Sequence, residues 1–184
     1  MPKQLTQAEK LTWFKTDFRP HFDEWVGGTA DRMVKASDDV GVAMPAFIWL
    51  TCSIDWLAEL WWGKSTRGNV RKAYTGFLKT YFSTAYNPDY LYDSLRNGLV
   101  HSFTIKSGHY ALKHRAPEIH LRANSQGYVL LNLENFYQDW LDAKNRFFND
   151  IENNSDMLTR AYERVTRDGF LGLVQVEFVE NTGK

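Results

Sequence analysis

The sequence predicts a mainly helical bundle of four to six helices that carries a small antiparallel β insertion. Three observations carry this. Apolar residues recur at three- and four-residue spacing over most of the chain. Period-two alternation is concentrated in one stretch near 103–133 and recurs only in the tail. No Pro/Gly/Ser linker and no internal repeat divides the sequence. A length of 184 residues suits one domain with a real core, so 1–184 reads as a single domain with the insertion inside it. Hydrophobic residues make up 43% and aromatics 15%, which excludes a disordered chain. Lys plus Arg equals Asp plus Glu at 22 each, so no global positive field attracts nucleic acid, and such binding needs a local patch.

The first helix is expected over about 6–35, with Leu11, Phe14, Phe18, Phe22 and Trp25 facing inward and a break or kink at Pro20. The second covers about 45–62 and stops at Gly63, a natural residue to follow a helix end. Its apolar residues occupy most of its circumference, as expected of the central helix of a bundle. The third, about 66–82, sets Val70, Tyr74, Phe77, Leu78 and Tyr81 on one side. The fourth opens at Asn87-Pro88, a cap followed by proline at the first helical position. Then "SFTIKSGHYALKHR" and "EIHLRANSQGYVLLNL" alternate, giving three or so short strands with turns at Ser107-Gly108 and at 124–127. Helical periodicity returns in "ENFYQDWLDAKNRFFNDI", with Phe136, Trp140, Ala143 and Phe147 on one face. A last helix follows over about 155–167, and the tail "LVQVEFVE" alternates in the manner of one more strand.

The fourth helix carries the densest polar chemistry, in "LYDSLRNGLVHSF" at 91–103. At 100° per residue with Leu95 at zero, Leu91 and Leu99 fall within about 40°, and Tyr92 and Phe103 lie alongside. Asp93, Asn97 and His101 fall at roughly 160°, 200° and 240°, one line on the far side, with Arg96 near 100° at the flank. The Arg96 side chain is long enough to swing toward His101. Gly98 costs a helix about 1 kcal/mol relative to Ala and leaves a clearance beside that line. A solvated surface helix also shows a polar line opposite its leucines. The adjacent Asn97, the capped start and the interior glycine set this one apart.

"RNGLVH" resembles the Arg–polar–x–x–x–His motif of the HEPN superfamily, small helical bundles that include many prokaryotic endoribonucleases. "FIWLTCSIDWLAELWWGK", "FLKTYF" and "LYDSLRNGLVHSF" follow the helix order of its bacterial members, over roughly 45–105. The resemblance implies a homodimer whose two motif helices face a shared cleft. It implies Arg96 and His101 as the catalytic pair and Asn97 as the polar residue that orients them. His101 would take the proton of an RNA 2′-hydroxyl or protonate the leaving 5′-oxygen. Arg96 would hold the scissile phosphate bidentately and offset its growing charge. The products would be a 2′,3′-cyclic phosphate and a 5′-hydroxyl, with no metal or other cofactor. Some relatives act with an antitoxin or another protein partner. The alternative, from a different class, is a non-catalytic HEPN-like module that binds nucleotide or RNA or serves as a dimeric scaffold. The insertion at 103–133 departs from a minimal HEPN bundle.

The insertion is locally basic, with Lys106, His109, Lys113 and Arg115 as candidate RNA-phosphate contacts and His114, His120 and Arg122 nearby. The same charges would also guard a solvated sheet edge. His101, His109, His114 and His120 raise the question of zinc, but no cysteine accompanies them and no metal-binding spacing appears, so no metal is expected. Asp55 and Glu59, one turn apart on the most apolar helix, should be paired, with Arg96 or with a basic residue of the third helix, rather than form a catalytic dyad. Cys52, the only cysteine, lies in an apolar run and reads as a buried structural thiol. "GKSTRGN" lacks the upstream glycine of a phosphate loop. The tryptophans are expected in the core, with Trp61-Trp62 a possible interface. "MPKQLTQAEK" lacks a signal peptide's apolar core and "VGVAMPAFIWLTCSIDWLAELWW" is interrupted by Asp55 and Glu59, so no membrane span and a cytoplasmic location are expected.

Overall fold

The computed structural model describes residues 5–38, 42–105 and 108–168. Helix α1 runs unbroken through residues 7–35. Thr6 opens it with a capping box, its hydroxyl accepting from the Glu9 N–H while the Glu9 carboxylate accepts from the Thr6 N–H. Two of its turns, Phe14–Phe18 and Asp23–Gly27, are π-helical. Their cause is legible in the packing. Phe14, Phe18, Phe22, Val26 and Ala30 recur at every fourth residue, and all are buried. In an α-helix, four residues turn through about 400°, so five such positions would drift by roughly 160° around the axis. The wider π turn removes that drift and keeps all five on the core. It also accommodates Pro20, which lies between the two π turns, so the expected break does not occur. Trp25, expected inside by α-periodicity, is 59% exposed, because the second π turn hands the inner position to Val26.

Helix α2 (Ala43–Trp62) contacts each of the other helices, as its nearly all-apolar circumference requires. Gly63 ends it at φ +70°, with its N–H bonded to the Glu59 carbonyl at 3.1 Å. In α3 (Val70–Tyr81) the ring of Trp61 lies so close to Gly76 that a Cβ there would meet it at 2.8 Å. Helix α4 covers residues 88–102, and the Asn87 side chain accepts from the Asp89 and Tyr90 N–H groups at 3.1 Å. Its middle, Tyr92–Leu99, is again π-helical, and again the buried Leu91, Leu95 and Leu99 are four apart. Phe103 follows in the left-handed conformation (φ +51°) and is 73% exposed. The expectation that it lies beside the leucines fails because the helix ends before it.

Among the described residues the insertion has two strands, β1 (Tyr110–Lys113) and β2 (Val129–Asn132), and they are parallel, with Tyr110 opposite Val129 and Lys113 opposite Asn132. The antiparallel sheet of three or so strands is thereby corrected. Alternation identifies a pleated segment but not its direction. The connection over residues 114–128 has the length a parallel crossover needs. A short antiparallel piece survives within it: the Leu121 N–H donates to Leu130 at 2.7 Å and the Leu130 N–H to Arg122 at 2.9 Å. The turn anticipated at 124–127 forms there, with the Asn124 carboxamide oxygen accepting from the Gln126 and Tyr128 N–H groups.

Helices α5 (Leu133–Asn153) and α6 (Ser155–Asp168) complete the bundle. One hydrophobic cluster runs from Phe14 through Leu50, Phe77, Leu95 and Trp140 to Val165. Within it Lys144 is buried, its ammonium bonded to Asp23 of α1 and set beside the Trp140 and Phe148 rings. No helix among the described residues is long and apolar enough to cross a membrane. The alternating tail at 173–180 lies outside the described residues, as does Lys106.

Candidate functional site

Where α2 packs against α4, Asp55 meets Arg96. Asp55 Oδ2 accepts from Arg96 Nε at 3.2 Å and from Nη2 at 3.1 Å. The other branch, Nη1, donates to Asn97 Oδ1 at 3.3 Å and to His101 Nε2 at 2.8 Å. Four of the five guanidinium donors are thus engaged. Because arginine carries only donors, His101 Nε2 is the acceptor, and the proton of the neutral imidazole sits on Nδ1.

The π turn explains how these side chains converge. Residues five apart on an α-helix point about 140° away from each other. The extra residue per turn in Tyr92–Leu99 narrows that angle, so Arg96 reaches His101 directly instead of around the helix flank. Arg96 is partly buried, 19% exposed at its side chain, whereas His101 is exposed. The three residues singled out by sequence are therefore brought together, with the imidazole outermost. The Arg96 guanidinium also lies 5.7 Å from the Tyr92 ring centre, and that ring meets Tyr74 edge-on at 5.5 Å.

The surroundings set the charges. Burial pushes the Asp55 carboxyl above its ordinary range; Arg96 opposes this by charge and hydrogen bond, and Glu59 adds to the rise. Glu59 has its own partners, Arg164 of α6 and the Thr66 hydroxyl at 2.6 Å, so the two acids are separate ion-pair members and no dyad. The expected basic partner on the third helix is replaced by one on the last. Tyr74 is fully buried with no hydrogen-bond partner for its hydroxyl, and burial together with the negative Asp55 pushes its phenol far up. Cys52 is exposed, not buried as expected, because α2 turns this position outward. Burial by its neighbours and the charge of Asp55 raise its thiol, against Arg96.

Of the basic candidates among the described residues, His109 lies away from this site. His109 stacks on Tyr90 at 3.7 Å, at the opposite end of α4 from His101. Tyr90 and His101 are eleven positions apart in α4, roughly 16 Å along the axis. Lys113 ends β1 and is exposed, and the Arg115 N–H donates to both Glu134 carboxylate oxygens at the start of α5.

A second polar cluster links residues far apart in sequence. The Tyr86 hydroxyl donates to Asp139 Oδ2 at 2.5 Å and lies 3.0 Å from His120 Nε2. His120 Nδ1 accepts from the Asn132 N–H at 3.1 Å, so Nε2 carries the proton and faces Tyr86 and Asp139. Although burial alone would raise it, hydrogen bonds from His120 and Tyr86 bring the Asp139 carboxyl below its usual range. Asp139 borders a cavity of about 590 Å³ between residues 81–84 and α5, whose polar rim includes Asp142, Asn145, Arg146 and Asn149. This cluster anchors the insertion to α5. No local motif announces it, since its members are 34 and 53 residues from Tyr86. Among the described residues no three His, Cys, Asp or Glu side chains converge as metal ligands would.

Compared with known family models, with curated proteins and with solved structures, the chain matches none.

Proposed function

We propose that this protein is a metal-independent endoribonuclease of HEPN type, cytoplasmic, working as a homodimer with the two Arg96–His101 pairs facing one cleft. The observation that carries the reading is the 2.8 Å contact between Arg96 Nη1 and His101 Nε2, with the imidazole exposed and the guanidinium anchored behind it. A mobile proton and a fixed cation are what RNA cleavage by internal attack requires. His101 Nε2 takes the proton of a 2′-hydroxyl, and the freed oxygen attacks the adjacent phosphorus. The P–O5′ bond breaks, the 5′-oxygen leaves as a hydroxyl after receiving a proton from an imidazolium across the cleft, and a 2′,3′-cyclic phosphate remains. Arg96 offsets the charge building on the phosphate through its Nη1 branch, since Asp55 takes the Nε–Nη2 edge that a bidentate grip would use. Asn97 holds Nη1 from the side.

One observation favours the alternative, a non-catalytic HEPN-like binding or scaffold module. Arg96 is so fully satisfied within its own chain that the network stabilises the α2–α4 contact without any substrate. End-group analysis of RNA incubated with the protein in EDTA separates the two. Cyclic phosphate and 5′-hydroxyl ends that vanish with His101→Ala support the enzyme; intact RNA bound by the protein supports the module. An antitoxin or other protein partner belongs to the same proposal, and co-purification from the native host tests it.

A further inference from the structure

We infer that Asp55 is the positioning residue of this site: it clamps one edge of Arg96 so that the other branch is aimed at His101 Nε2 and holds the imidazole in its Nδ1–H form. The consequence for cleavage rests on the ribonuclease reading; the consequence for the imidazole does not. The geometry is one-sided. A single oxygen, Asp55 Oδ2, takes both Nε and Nη2, which leaves the guanidinium no rotation about its long axis that keeps both bonds. Nη1 is then fixed in direction, with Asn97 on one side and His101 on the other. Asp55 itself comes from the rigid central helix, one turn before Glu59, whose bonds to Arg164 and Thr66 hold that stretch of α2 to α6 and to the α2–α3 connection. The ring of Tyr92, beneath the guanidinium, limits movement on the remaining face.

This arrangement does two things to the base. It makes Nε2 an acceptor, whereas a histidine free in water favours the proton on Nε2. It also keeps that lone pair covered until something competes for Nη1. A phosphodiester is such a competitor: when its oxygen takes the Nη1 hydrogen bond, Nε2 is released in the tautomer able to accept the 2′-hydroxyl proton. Asp55 keeps the rest of the guanidinium in place during the exchange. The site is thus armed by the anion it acts on, and Asp55 acts through Arg96 without touching the substrate.

The test is ¹⁵N NMR of the His101 imidazole in the full chain, comparing wild type, Asp55→Ala and Asp55→Asn, with folding of each checked by far-UV circular dichroism. Wild type should show the Nδ1–H pattern, with Nε2 unprotonated and hydrogen-bonded. Asp55→Ala should shift His101 to the Nε2–H pattern of a free imidazole. Asp55→Asn, which keeps the shape and loses the charge, should shift it part of the way and decides the matter if Asp55→Ala does not fold. An unchanged Nδ1–H pattern in the folded variants overturns the inference, as does an Nε2–H pattern in wild type. RNA cleavage measured in parallel should fall about 10- to 100-fold in Asp55→Asn with His101 intact. Cleavage that His101→Ala leaves unchanged defeats the ribonuclease reading instead, while the NMR result still judges Asp55.

Discussion

Replacing Arg96 by alanine should cost stability in a pH-dependent way that identifies Asp55 as the group left behind. Arg96 makes two hydrogen bonds to the Asp55 carboxylate, and the two side chains are 19% and 28% exposed. That places the pair between exposed ion pairs, worth roughly 0.2–1 kcal/mol, and buried ones, whose breaking costs about 3–5 kcal/mol. A coupling energy of about 1.5 kcal/mol is expected from a cycle of Arg96→Ala, Asp55→Ala and the double variant. With the bonds to Asn97 and His101 added, Arg96→Ala should lose about 2 kcal/mol in all, or roughly 4–8 °C in Tm for a chain of this size. The sign of the pH effect follows from Asp55, whose carboxyl is already raised by burial. A carboxyl raised in the folded state costs stability once the pH passes its unfolded value near 3.9, and the cost grows until the pH passes the folded value. Removing Arg96 removes the charge that opposes the rise, so the deficit should be largest near pH 7 and shrink toward about pH 3, where Asp55 is mostly protonated in both states. Urea unfolding at both pH values measures this. A coupling below about 0.3 kcal/mol, or a deficit independent of pH, refutes the reasoning.

Tyr86→Phe removes the hydroxyl between Asp139 and His120 and should cost about 1–2 kcal/mol by urea unfolding at pH 7, the lower part of the range for bonds to charge because Asp139 is 36% exposed. Asp139 lies below its usual range, so its contribution is complete above the unfolded value near 3.9 and is lost as the pH falls through the folded one; the variant should therefore approach wild type in acid. Gly63→Ala should cost about 1–2 kcal/mol, because φ there is +70° and the new Cβ would lie 2.7 Å from the Arg160 side chain; a thermal melt unchanged from wild type contradicts this.

How far the sequence reaches is clearest along α1 and α4. Helical content, the six helices and the caps at Asn87 and Gly63 follow from local chemistry, since apolar spacing and turn residues act within a few positions. The π turns do not follow from a period of 3.6 residues. The signal was nonetheless present in the strict fours of Phe14, Phe18, Phe22 and Val26 and of Leu91, Leu95 and Leu99. Trp25 and Phe103 lie outside for that reason and because helix ends are set by backbone conformation. Strand direction was out of reach, since alternation looks the same in parallel and antiparallel pairs. Of the site, the Arg96–Asn97–His101 grouping was legible from spacing, and Asp55 as one of the candidate partners of Arg96. The Tyr86–His120–Asp139 cluster depends on tertiary packing alone.

The central claim is that Arg96 and His101 cleave RNA together. Its most direct measurement is the cleavage rate of a mixed RNA pool in EDTA by wild type, His101→Ala and Arg96→Ala, each assayed where it is fully folded. The account predicts a loss of about 100-fold or more in each variant, in line with removal of a general base or of a charge-stabilising group. Equal rates for all three contradict it.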